Sequence, residues 1–114
     1  VASGCSYCVF NHRVALGQAL QDAALADRIA RNYHDVALTA REQALADTAD
    51  TLARQPHAVG EAQFEQLRTH GFDDAAILEI LEVSAFFSYA TRLTIAVNVL
   101  PDAQFFSAQQ EEAA

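Results

Sequence analysis

The chain has 114 residues, of which 52% are hydrophobic and 19% are charged, and its formal net charge is −8. This length and composition fit one globular domain with its own hydrophobic core. The excess of negative charge argues against nucleic acid or an anionic membrane as a partner, because both require a basic face. Four glycines and two prolines are too few for the turns of an all-β fold.

Apolar spacing and capping residues predict five helices, over residues 4–20, 22–33, 39–55, 61–70 and 74–98. Ser3 is the predicted N-cap of the first helix, because its hydroxyl could accept from a free amide of the first turn. Thr39 and Glu42 have the spacing of a capping box at the start of the third. The residues expected to face the core from that helix are Leu45, Thr48, Ala49 and Leu52.

The fourth and fifth helices meet at a predicted tight turn. Phe64 and Leu67 are expected to point inward from the fourth helix. Gly71 is expected to end that helix in a left-handed conformation, which glycine adopts without a steric penalty. Asp73 is then positioned to cap the last helix.

The last predicted helix is apolar around most of its circumference. Its apolar residues include Ile77, Leu78, Ile80, Leu81, Val83, Phe86, Phe87, Leu93, Ile95 and Val97. A helix that is apolar nearly all round must be covered nearly all round, which four short helices cannot do alone. We therefore expect a core helix that also forms a subunit interface, the alternative being a purely internal core helix.

Both cysteines of the chain lie near its start, in the segment CSYCVFNH at residues 5–12. On a helix, Cys5, Cys8 and His12 would fall within about 60° of one another. Two thiols one turn apart can form a disulfide, and the first turn of a helix favours a thiolate. A histidine four residues after Cys8 is positioned to take or relay its proton. The spacing therefore predicts thiol redox catalysis.

Two other interpretations of this segment remain open. Two cysteines and a histidine could be three ligands of a zinc ion, although a structural site usually has four and the other histidines are scattered. The alternative without chemistry is a pair of buried cysteines beside a histidine whose hydrogen bonds are satisfied. Covalent haem attachment is excluded, because it requires a histidine where Val9 stands.

At this point nearly the whole chain resembles the alkylhydroperoxidase AhpD-like family of the carboxymuconolactone decarboxylase superfamily, and within it the peroxidase-related members. The segment at 5–12 is similar to the family's C-x-x-C-x-x-x-H signature. Further similar segments follow in the family's order, namely LTAREQAL at 38–45, LRTHGFDD at 67–74 and the apolar run over 77–93.

The resemblance implies an all-α, AhpD-like helical domain of about five helices, completed by assembly into trimers or hexamers. It implies that Cys8 is the thiol that attacks the hydroperoxide, that Cys5 resolves the product and that His12 belongs to the proton relay. The implied partners are a small hydroperoxide substrate and an external dithiol or protein reductant. No bound cofactor, metal, nucleic acid or membrane is expected, and the expected location is the cytoplasm.

The resemblance also bears on the start of the chain. The family relay uses a glutamate about a dozen positions before the first cysteine, and this chain begins with Val1. We therefore expect residues 1–100 to form an AhpD-like domain lacking its N-terminal segment, followed by a C-terminal tail over 101–114. Glu79 and Glu82 are expected to form a solvated strip, and either could replace the relay carboxylate if it faces the thiols.

The sequence also allows two alternatives to a peroxidase. The chain could be a helical oligomer without catalytic activity, whose cysteine pair has a structural role or acts as a redox sensor. It could also be a decarboxylase of the same superfamily, although that chemistry does not require the thiol pair.

Overall fold

A computed structural model describes residues 1–100 of the chain, so the tail predicted over 101–114 lies outside the described residues. Within residues 1–100 the chain forms α-helices and short 3₁₀ turns, with no β-strand. The helices are α1 (Ser6–Leu20), α2 (Ala23–Asn32), α3 (Ala40–Arg54), α4 (Glu61–Thr69) and α5 (Asp74–Ala96). The all-α class predicted from the sequence is confirmed.

The beginnings of α3 and α5 are those that the sequence predicts. Thr39 accepts from the backbone amide of Glu42, and the Glu42 carboxylate accepts from the Thr39 amide at 2.8 Å, which completes the capping box. Asp73 caps α5 by accepting from the Ala76 amide at 2.8 Å. These local bonds satisfy amides that the first turn of a helix leaves without a partner.

The end of α4 is also as predicted. Gly71 has a φ of +84°, and the amide of Phe72 donates to the Leu67 carbonyl at 3.1 Å. Together with the bond from Gly71 to the Arg68 carbonyl at 2.9 Å, this is a Schellman motif. Its apolar member, Phe72, packs against the buried core cluster of Ala44, Leu67 and Ile77.

The predicted cap of α1 is wrong. The helix begins at Ser6, and its N-cap is Cys5 rather than Ser3. Gly4 has a φ of +69°, and this left-handed residue turns the chain before the helix can start. The first helical turn therefore lies two residues later than the sequence predicts.

The core of the fold lies where α3, α4 and α5 meet. Leu67 is fully buried and packs with Ala44 and Ile77 at its centre. The aromatic and aliphatic residues packed around this centre are Phe64, Phe72, Ile80 and Leu81. Thr48 is also buried, and its hydroxyl donates to the Ala44 carbonyl at 2.8 Å. The inward positions predicted for Phe64, Leu67 and Thr48 are confirmed.

The inward position predicted for Leu45 is wrong, because 39% of this residue is exposed. Ala44, one position earlier, faces the core instead, where its small side chain fits against Leu67 and Ile77. The buried positions of α3 are thus Ala44 and Thr48, which lie four residues apart along one edge of the predicted stripe.

Helix α1 lies against α2 at a close approach centred on Gly17. A Cβ atom at Gly17 would lie 3.2 Å from the Cα atom of Ala23, so only glycine lets the two backbones come this near without a shift. Farther along, Arg13 forms an ion pair with Asp27 at 2.9 Å. This hairpin fixes the direction in which α1 presents its first two turns, which carry the cysteines and His12.

Helix α5 is only partly covered within residues 1–100. Its side facing α3 and α4 contributes Ile77 to the core, whereas Phe86 and Tyr89 are 60% and 62% exposed. No helix of the described part is long and apolar enough to cross a membrane.

Tyr33 connects the end of α2 to α3. Its hydroxyl donates to a carboxylate oxygen of Asp47 at 2.8 Å, and the same oxygen accepts from the Gln43 side chain at 2.8 Å. Partial burial, followed by the hydrogen bond to Asp47, raises the pKa of Tyr33 to about 12. The folded state therefore favours the neutral phenol.

We expect the Tyr33 contact to weaken at high pH. In the unfolded chain Tyr33 loses its proton near pH 10, about two units below the folded state, so the unfolded state binds fewer protons between these values. The free energy of unfolding should therefore be maintained below about pH 10 and fall as the pH rises towards 12. Urea unfolding at a series of pH values measures this, and Tyr33→Phe should reduce the fall.

Tyr7→Phe is the matched control, because Tyr7 lies on α1 and the tyrosine bonded to Asp47 is Tyr33. This variant should keep the pH dependence of the wild type. An equal effect of the two substitutions would contradict the role of the contact between Tyr33 and Asp47.

Candidate active site

The N-terminus of α1 is closed by the sulfur of Cys5. Cys5 has an extended backbone, with φ −85° and ψ 99°, and its Sγ atom accepts from the backbone amide of Cys8 at 3.3 Å. The sulfur thus does what a serine or aspartate oxygen does at most helix starts. The two cysteines are joined by a disulfide. Cys5 is only 4% exposed, whereas Cys8 is half-buried.

His12 lies one turn after Cys8, and two contacts fix its ring. The Nδ1 atom is 2.8 Å from the Cys8 carbonyl oxygen. A carbonyl can only accept, so Nδ1 donates and carries a proton, which makes Nε2 the basic nitrogen of the neutral ring. The ring also packs against the Phe87 ring on α5 in a T-shaped arrangement, with ring centroids 4.7 Å apart and an interplanar angle of 83°. Both α1 and α5 therefore orient the imidazole.

Cys8 and His12 open onto the same cavity, which we call the Cys8 cavity. It has a volume of about 390 Å³ and is bounded by α1, α2, α3 and α5. Most of its lining side chains are apolar or small, and the charged side chain of Arg13 also lines it. The apolar and small residues include Leu16, Ile29, Ala49, Ala53, Val83, Ser84, Phe87, Ser88 and Thr91. Cys5 does not line it, and neither does any carboxylate of the described residues.

Cys5 borders a different depression, which we call the Cys5 groove, with a volume of about 440 Å³. Its rim is charged, because Arg13, Asp27 and Arg31 all line it. The guanidinium of Arg13 also lies over the Phe10 ring, 5.2 Å from its centroid. Cys5 and Cys8 therefore line two different depressions, although Val1, Val9 and Arg13 line both of them.

The structure brings together the residues that the sequence singled out, apart from the candidate carboxylates. Glu79 and Glu82 are exposed on α5, and neither lines the Cys8 cavity. Glu79 borders a separate cavity beside Leu45 and Phe72. Across residues 1–100, no group of three His, Cys, Asp or Glu residues is arranged to hold a metal ion.

The α5 side of the cavity is not among the site residues predicted from the sequence. Ser84, Ser88 and Thr91 line it together with Phe87. The three hydroxyl residues follow at spacings of four and three in the second half of α5, and this pattern could have revealed a polar face. Thr91 Oγ1 also lies 3.3 Å from Ser3 Oγ, so α5 contacts the segment just before Cys5.

Two solved structures are similar to this chain. An uncharacterized peroxidase-related protein from Silicibacter sp. TM1040 has a TM-score of 0.85 and 34% sequence identity, and the match covers 89% of this chain and 53% of that one. The alkylhydroperoxidase AhpD core, an uncharacterized peroxidase-related protein from Ralstonia eutropha JMP134, has a TM-score of 0.84 and 33% identity. That match covers 92% of this chain and 56% of the other.

No protein-family model matches the chain, and no curated protein matches it. The chain spans about half the length of the two solved relatives. It has the AhpD-like fold and is similar to peroxidase-related proteins in both structure and sequence, so the resemblance that the motifs indicated is confirmed.

We expect the Cys5 cap to stabilise the protein independently of the disulfide. In the presence of a reductant, Cys5→Ala should lower the free energy of unfolding by about 1 kcal/mol relative to Cys5→Ser, because the serine hydroxyl can still accept from the Cys8 amide. Urea unfolding followed by circular dichroism measures the difference. Cys8→Ala, which also removes the disulfide but keeps the cap, is the control. Equal stability of the two Cys5 variants would contradict the capping role.

Proposed function

We propose that this AhpD-like domain acts as a thiol-dependent peroxidase that reduces small organic hydroperoxides or hydrogen peroxide. The observation that carries the proposal is the Cys8 cavity, where a sulfur already paired with Cys5 opens beside His12 onto mostly apolar walls. The similarity to peroxidase-related proteins supports the same chemistry. Cys8 is the proposed nucleophile, Cys5 the resolving thiol and His12 the proton carrier.

The first half-reaction oxidises the cysteine pair. With the disulfide reduced, Nε2 of His12 accepts the Cys8 proton, and the Cys8 thiolate attacks one oxygen of the hydroperoxide. The O–O bond breaks, Cys8 becomes a sulfenic acid, and the alkoxide takes the proton from His12 and leaves as an alcohol. Cys5 then loses its thiol proton to His12, and its thiolate attacks Cys8 Sγ. The S–O bond breaks, the disulfide forms, and the departing hydroxide takes the proton from His12 and leaves as water.

The second half-reaction requires two electrons from outside the chain. An external dithiol or protein reductant supplies them by thiol–disulfide exchange and becomes a disulfide itself. A reducing compartment such as the cytoplasm maintains such donors, and it is the location we propose.

We expect peroxide consumption with dithiothreitol to depend on all three residues. Cys8→Ser should lower kcat/KM by roughly a thousandfold or more, because the nucleophile is lost. His12→Ala should lower it by roughly a hundredfold, because proton transfer is lost. Cys5→Ser should retain attack but stop after one turnover with a sulfenic acid on Cys8, detected by dimedone labelling and mass spectrometry.

Ser6→Ala is the control, because Ser6 is an exposed neighbour of the pair. It should keep the wild-type rate. If Cys8→Ser consumes peroxide as fast as the wild type, the peroxidase proposal is wrong. If the wild-type thiols oxidise to a disulfide without turnover, the redox-sensor alternative is favoured instead.

We also propose that the chain assembles with copies of itself, as a trimer or a hexamer. The support is the outer face of α5, where Phe86, Tyr89, Leu93 and Val97 follow at spacings of three, four and four and are between 49% and 69% exposed. Such a stripe is large and apolar, which is typical of an interface between subunits.

The assembly has a direct test in analytical ultracentrifugation. The wild type should sediment as a trimer or hexamer, and Phe86→Glu should shift it towards the monomer, because a charge in the interface lacks a partner. Gln18→Glu, on an exposed position of α1, should not change the sedimentation. Circular dichroism verifies that both variants are folded, and a wild type that stays monomeric at every concentration contradicts the proposal.

A further inference from the structure

We propose that the external thiol reductant attacks Cys8 Sγ and not Cys5 Sγ, so that peroxide and reductant react in turn within the Cys8 cavity. The inference rests on the proposed function, because it specifies how the disulfide of that cycle is reduced. It assigns Cys5 the role of the departing sulfur in every reduction. The reductant class is a small thiol or dithiol, or a protein thiol that can enter the cavity.

The first support is the difference in access between the two sulfurs. Cys8 lines the Cys8 cavity, which gives an incoming thiolate a path to its sulfur. Cys5 is 4% exposed and does not line that cavity. Exchange requires the attacking sulfur to approach the one that it binds, so the greater exposure of Cys8 favours attack on Cys8.

The second support is the position of Cys5 at the helix start. The sulfur that departs from a disulfide carries the negative charge, and the sulfur that better stabilises this charge departs faster. Cys5 Sγ accepts a hydrogen bond from the Cys8 amide at 3.3 Å and lies at the positive end of the α1 dipole. Departure of Cys5 therefore leaves its charge at a site that is already organised for it.

The third support is the position of the base. His12 lines the Cys8 cavity, and its Nδ1 atom is held by the Cys8 carbonyl at 2.8 Å, so Nε2 is the nitrogen that can accept a proton. A thiol entering this cavity can lose its proton to His12 before it attacks Cys8. The residue that serves the peroxide step would then also activate the reductant.

The thiol gives its proton to His12 Nε2, its sulfur bonds to Cys8 Sγ, the Cys5–Cys8 bond breaks, and Cys5 departs as a thiolate. A second thiolate then attacks the reductant sulfur of the mixed disulfide and releases Cys8. The two thiols lose two electrons in forming their own disulfide, and the cysteine pair gains them.

The competing route is the Cys5 groove. A reductant there would attack Cys5 and expel Cys8, whose sulfur does not occupy the cap position. The groove has Arg31 on its rim, so attack by an anionic thiol along this route should respond to the charge at that residue. Attack through the Cys8 cavity should not depend on the charge at Arg31, because Arg31 does not line that cavity.

The decisive experiment uses the oxidised wild-type protein and 2-mercaptoethanol, with no peroxide present. Samples taken during the reaction are quenched with acid, denatured and alkylated with N-ethylmaleimide, and peptide mass spectrometry identifies the cysteine that carries each group. We expect mercaptoethanol on Cys8 and maleimide on Cys5, in about tenfold excess over the reverse at the earliest times. A majority of mercaptoethanol on Cys5 would overturn the proposal.

A second measurement follows the rate of disulfide reduction by anionic 3-mercaptopropionate in the wild type and in Arg31→Glu. We expect equal rates, and a decrease of about tenfold in the variant would assign the attack to the Cys5 groove. Neither experiment requires turnover of peroxide. A protein without peroxidase activity would still reveal which sulfur is attacked, so the two proposals fail separately.

Discussion

The geometry of the site depends on the hydrogen bond between the Cys8 amide and Cys5 Sγ. This bond ends the irregular start of the chain and begins α1, so it fixes where the helix starts and how its next residues are oriented. His12, one turn farther along the same helix, donates a hydrogen bond from Nδ1 to the Cys8 carbonyl. A sulfur that caps a helix lies beside the free amides and the positive dipole end of the helix, although the Cys5 side chain is nearly buried. The redox pair is therefore part of the secondary structure.

Different sides of helix α5 face the core, the Cys8 cavity and the outside of the described fold, and this explains why so many of its residues are apolar. One side supplies Ile77 to the core around Leu67, and another supplies Phe87 and a row of hydroxyl residues to the Cys8 cavity. The remaining side exposes a stripe that includes Phe86 and Tyr89. A helix with these three neighbours has few positions left for charge. Its composition reflects its central place in the fold.

Much of the helical fold could be predicted from the sequence because the signals are local. A capping box at Thr39 and a left-handed glycine at position 71 act through bonds between residues a few positions apart. The wrong predictions concern positions where tertiary packing or an unusual capping group determines the structure. Leu45 was expected inside because it is apolar, but Ala44 is the side chain that fits against Leu67. Ser3 was expected to cap α1 because hydroxyls are common caps, and a sulfur does so instead.

The sequence by itself determined that two thiols and an imidazole lie within two turns of one helix, because helical spacing fixes their relative positions. The tertiary structure decided which depression each cysteine lines. Cys8 borders a cavity whose other walls come from α2, α3 and α5, and Cys5 borders a groove with a charged rim. Phe87 meets His12 across 75 positions of chain, and no local pattern encodes such a contact. It exists because the core brings α1 and α5 together, which requires the whole fold.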